Sequence, residues 1–99
     1  MGTAGLAPAV MHPPAPRIRP GVAVRAVADE LESAGVAVLD VRACSRVGLL
    51  LVSGGLVVWC WGRLLRWHHQ GQQVTWPAGD AYGAARRLAE AVEAGPSRM

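Results

Sequence analysis

From Val47 to Gly62 the chain reads VGLLLVSGGLVVWCWG without one charged residue, and Leu64-Leu65-Arg66-Trp67 follow directly after Arg63. An apolar stretch of this kind has two physical outlets, a membrane-spanning helix or a set of buried strands. As a helix, the sixteen uncharged residues would reach about 24 Å, short of the roughly 30 Å hydrocarbon layer. The glycines decide the matter, because they fall where hairpin turns need them. Gly54-Gly55 suits a type I′ turn, which needs positive φ at both central residues, and Gly62-Arg63 suits a type II′ turn. Three strands follow, Val47–Val52, Leu56–Trp61 and Leu64–His69, and no membrane span is expected.

The flanks complete the pattern. Val24, Val27, Ala28 and Leu31 recur at helical spacing within a helix from Val22 to Ala34, which Gly35 is placed to end. Val36 to Val41 reads as a strand. Gln70 to Gln73 breaks the last long strand, with Val74-Thr75-Trp76 as a short extension before Pro77. Asp80 is an N-cap candidate for a second helix. That helix carries a small-residue stripe of Ala81, Ala84, Ala85, Leu88, Ala89 and Val92, with Arg86 and Glu90 as an outward pair, and Gly95-Pro96 ends it. The expected fold is α+β: a two-layer α-β-β-β-β-α domain, a four-stranded antiparallel meander with two helices on one face. The domain runs from 21 to 95. Residues 1–20, with prolines at 8, 13, 14, 16 and 20, read as a disordered N-terminal tail, and 96–99 as a C-terminal tail.

Composition excludes several functions. With 52% hydrophobic and 17% charged residues in 99, the chain as a whole is no disordered protein. Its formal net charge is +3, but residues 21–99 hold eight Arg against seven acids, which leaves +1. That is a poor electrostatic match to nucleic acid. Cys44 and Cys60 show no metal or redox spacing. With no signal peptide apparent, a cytoplasmic location with reduced thiols is expected. His68 and His69 are adjacent on a strand and face opposite ways, so they do not chelate one metal. Asp40 stands without a His or Ser partner. No catalytic residue, metal site or cofactor is therefore expected.

Side chains alternate across a strand, so the turns decide which residues share a face. Two-residue turns set Val52 opposite Val57, Leu50 opposite Trp59, and Trp61 opposite Leu64. One face then bears Leu50, Val52, Val57, Trp59, Trp61, Leu64 and Arg66. The other bears Leu49, Leu51, Leu56, Val58, Cys60, Leu65 and Trp67, and is the one two helices are expected to cover. The first list is left as an apolar patch rich in hot-spot residue types. It is expected to serve as an interface with a second copy or with another protein. The alternatives are a single-stranded nucleic-acid binder stacking bases on the Trp/Arg face, a small-ligand pocket between sheet and helices, and a core in which splayed helices or the tail cover the tryptophans.

The run LVVWCWGRLLRW, followed by WPAGDAYGAARRLAEAV, resembles a group of small hypothetical proteins of high-GC, actinobacterial-type genomes. The shared features are a Trp-bearing hairpin with a Gly turn, a Pro-Ala-Gly-Asp helix start and an Ala-Ala-Arg-Arg helix. Here they fall on Leu56–Trp67 and Pro77–Val92, under half the chain. Trp61 stands where that group has Asp or Asn before the turn glycine, which adds apolar surface. The resemblance implies the α+β fold and carries no activity.

Overall fold

The computed structural model describes residues 18–94. Residues 1–17 and 95–99, which hold most of the N-terminal tail and all of the C-terminal one, lie outside the described residues. Helix α1 (Pro20–Ser33) leads into five strands: β1 (Val38–Ala43), β2 (Gly48–Val52), β3 (Leu56–Trp61), β4 (Leu64–His69) and β5 (Gln72–Pro77). Helix α2 (Ala81–Glu93) follows β5. The strands form one antiparallel sheet in the order β1-β2-β3-β4-β5, so each pairs with its neighbour in sequence. The class and the meander are as the sequence implies, and the sheet has one strand more.

That strand arises at Gln70-Gly71. These residues make a two-residue turn at φ 54 and 81, and His69 pairs with Gln72 directly beyond it. Positive φ at both central positions is the type I′ condition that the twist of a hairpin favours. Gln72 and Gln73 are polar because β5 is an edge strand and both are exposed. Val74 and Trp76, two apart, turn inward and pack on the core.

Helix α1 starts at Pro20, whose missing N–H and fixed φ suit the first helical position. The folded body therefore begins before residue 21, with Ile18 packed against the core. Val24, Val27, Ala28 and Leu31 are all buried, as their spacing requires. The helix ends in a Schellman motif: the Val36 amide donates to the Leu31 carbonyl (2.9 Å) and the Gly35 amide to that of Glu32 (3.0 Å).

Asp80 caps α2, its Oδ1 accepting from the Gly83 amide at 3.0 Å. Its other oxygen accepts from the Trp76 indole Nε1 at 3.0 Å, which ties β5 to the helix. Asp80→Ala removes both bonds and is expected to cost about 1–2 kcal/mol, read as a lower urea midpoint at unchanged slope. Arg86 does not pair with Glu90. Its guanidinium instead lies 6.0 Å from the centre of the Tyr82 ring, and Asp40–Arg42 is the ion pair formed among the described residues.

Both helices lie on one face of the sheet. Helix α1 packs on β1, β2, β3 and α2, while α2 packs on α1 and β5. Ala84, Ala85, Leu88 and Ala91 of α2 are buried, and their small side chains let the two helix backbones approach. Leu50, Val52, Leu56, Val58, Cys60, Leu65 and Trp67 face this layer from the sheet and complete one core. No helix among the described residues is long and apolar enough to cross a membrane.

Candidate functional site

The sheet's opposite face carries no helix, and a register difference decides what it displays. Val52 pairs with Leu56, so β2 and β3 are joined by three residues, Ser53-Gly54-Gly55, rather than two. Both glycines hold φ near 85°, so their dipeptide alone does not reveal the loop length. The extra residue slides β2 by one position against β3, and a one-residue slide exchanges its faces. Leu50 and Val52, expected on the uncovered face, are fully buried under the helices. Leu49 and Leu51 take their places, with Leu49 opposite Trp59 and Leu51 opposite Val57.

The rest of the expected patch lies together. Trp59 pairs with Arg66 and Trp61 with Leu64 across the Gly62-Arg63 turn. A single row, Arg42–Leu49–Trp59–Arg66–Thr75, crosses all five strands. On either side of it stand Leu51 with Val57 and Trp61 with Leu64. Leu49, Leu51, Val57 and Leu64 are half-buried by one another, while Trp59 and Trp61 are 46% and 51% exposed. These two rings are the protruding features of the face.

Arg66 braces them. Its guanidinium carbon sits 4.0 Å from the Trp61 ring centre, and Nη1 donates to the Trp61 carbonyl at 3.3 Å. A cation over an indole face is attracted by the ring quadrupole, by about 0.5–1 kcal/mol at an exposed site. The two contacts together favour this orientation of the Trp61 ring. Trp59, Trp61, Arg66, His68 and Gln73 surround a shallow depression of about 300 Å³. The patch is mostly apolar, with Arg66 within it and the Asp40–Arg42 pair at the β1 edge (2.9 Å).

The other candidate groups are scattered. His68 is exposed on the open face, and His69 faces the helices beside Glu90 and Arg87, its Nε2 buried without a hydrogen-bond partner. Cys60 is buried and Cys44 exposed. Among the described residues no three His, Cys, Asp or Glu side chains gather as metal ligands would. Burial pushes the Cys60 thiol above its ordinary 9.0, with Arg66 pulling weakly the other way. The folded protein therefore keeps a proton that the unfolded chain releases near pH 9. This contribution to stability is present below that pH and is lost as pH rises through the higher folded value. A thiol reagent at pH 8 is expected to modify Cys44 alone, with Cys60 reacting only on unfolding, and Cys60→Ala should flatten the loss of stability above pH 9.

Sequence reasoning missed Leu49 and Leu51 as members of the face, and Trp76 as partner to the helix cap. The only signal for the first pair was Gly48, the one residue of β2 small enough to lie beneath a helix end. Comparison of the chain with known protein families, with curated proteins and with solved structures finds no match.

Proposed function

We propose that this protein is a non-catalytic interaction module, working in a reducing cytoplasmic setting, that pairs with a second copy of itself through the open sheet face. The carrying observation is the pair of half-exposed tryptophans, Trp59 and Trp61, at the centre of an apolar face. Large apolar surface of this kind on a small domain marks an interaction site.

The face is large enough for the role. Five strands about 4.8 Å apart and six residues of about 3.3 Å rise give about 500 Å² in projection. Two copies therefore bury on the order of 1,000 Å², the lower limit for a specific interface. Charge does not oppose pairing, since residues 18–94 carry eight Arg and seven acids, a net +1. Edge-to-edge pairing is the poorer geometry. The β1 edge is broken by a register shift that leaves Leu39 exposed, and the β5 edge is polar and ends in Pro77. Both are devices that discourage strand addition.

Light scattering across a dilution series tests the reading. The wild-type chain is expected at dimer mass. Trp59→Ser and Trp61→Ser should each weaken association at least about thirty-fold, the effect of losing a hot-spot side chain, while remaining folded. A wild-type chain that stays monomeric at every concentration overturns the reading.

A second reading, single-stranded nucleic acid, draws on one observation. Arg19, Arg46 and Arg63 gather around Trp61, close to Arg66. Salt-dependent oligonucleotide binding that Arg63→Ala weakens would put it first.

A further inference from the structure

We infer that the Pro-rich segment Pro8–Pro16 docks in cis over Trp61 and Trp59, so that the chain's own N-terminal region competes with a second copy for the open face. The inference rests on the reading of that face as a docking surface and adds what regulates it.

The first observation is where the described chain begins. Ile18, Arg19 and Pro20 line a cleft of about 660 Å³ whose other walls are Arg46, Trp61, Gly62 and Arg63. The described chain therefore begins beside Trp61, at the β3–β4 turn. Pro16 lies only two residues from Ile18.

Reach is the second. A proline-rich chain in polyproline II form rises about 3.1 Å per residue, so Pro8–Pro16 spans about 28 Å. The five-stranded face is about 24 Å across. Trp59 and Trp61 stand two residues apart on one strand, about 7 Å, within the length of Pro13–Pro16 alone.

Chemistry is the third. Residues 1–16 contain Pro8, Pro13, Pro14 and Pro16 with Leu6, Val10 and Met11, and no Asp, Glu, Lys or Arg. Nothing strongly hydrated is lost on laying them against an apolar sheet. Proline rings pack flat on indoles, and a pre-set φ lowers the entropy lost on docking, which is how aromatic grooves take proline-rich segments. Trp61 keeps half its surface exposed even with Arg66 on its ring.

The test uses the full chain against a variant with Pro13→Ser, Pro14→Ser and Pro16→Ser, all outside the described residues. Indole N–H resonances of the four tryptophans are recorded by NMR over a concentration series, together with the self-association constant. At the lowest concentrations, where both proteins are monomeric, the Trp59 and Trp61 signals are expected to differ between the two proteins, and the difference should vanish at the highest concentrations as a second copy displaces the segment, while those of Trp67 and Trp76 stay put. Self-association of the variant should tighten about tenfold. Trp59 and Trp61 signals that coincide at the lowest concentrations overturn the inference, as does a difference that is absent there and arises only on raising the concentration, which would mean docking between molecules. Monomeric behaviour of both proteins at all concentrations defeats the pairing reading and the competition. The indole shifts still report whether the segment docks.

Discussion

Trp67→Ala is expected to cost about 3–5 kcal/mol, the range for removing a buried aromatic ring, and to lower Tm by about 15 °C or more. Trp67 is 2% exposed and is the largest of the fully buried side chains. It stands on the helix face of β4, opposite Val74, and helps to line the small cleft against Arg87 and Ala91 of α2. The described body has 77 residues, for which a typical net stability is about 4–12 kcal/mol, so this one change removes a large share of it. The contrast with Trp61→Ser is the informative part. Trp61 lies on the same sheet but faces away from the helices, so its loss should lower Tm only by what dimerisation contributes, a few degrees that vary with concentration, and should register chiefly in solution mass. A Trp67→Ala protein as stable as wild type would mean that α2 does not pack as described.

Gly48→Val is expected to cost more than about 3 kcal/mol, and Gly48→Ala about 2. The reason is the crossing of α1 over β2. A Cβ placed at Gly48 would lie 2.5 Å from the Pro20 carbonyl oxygen and 2.9 Å from Val24 Cγ2. The first is backbone at the start of the helix, so relief requires moving α1 itself. Gly54→Ala is the control: it meets open space but sits at φ 85, which costs about 1 kcal/mol of conformational strain. Urea midpoints should fall in the order Gly54→Ala, Gly48→Ala, Gly48→Val. Equal effects of the Gly48 and Gly54 substitutions to alanine would show that α1 yields freely at this crossing.

The helices were readable because their signals are local. The Val24–Leu31 stripe, Gly35 and Asp80 each act within a few residues, and each stands where its chemistry requires. The β3–β4 hairpin was readable for the same reason, since Gly62-Arg63 fixes its register. The β2–β3 register was not. VGLLLV is apolar throughout, so alternation carries no information about which residues face the helices. Ser53-Gly54-Gly55 closes equally well as a two-residue or a three-residue loop. What settles it is Gly48 beneath Pro20, a contact between elements 28 positions apart in the chain. Leu49 and Leu51 therefore replaced Leu50 and Val52 on the candidate face, whereas Val57, Trp59, Trp61, Leu64 and Arg66 were legible. Edge strand β5 was obscured by its glutamines, which an edge position tolerates and a central strand would not.

The meander also sets an order of events during synthesis. Hairpins between sequence neighbours close small loops and form early. Helix α2 is made after all five strands, yet it completes the cover over Leu65, Trp67 and Val74. A nascent chain that has reached Pro77 therefore presents apolar surface on both sides of its sheet at once, the condition in which partly made proteins aggregate. The short Ala78-Gly79-Asp80 connection limits that interval, because the helix is delivered to the bare half of the sheet as soon as it can form.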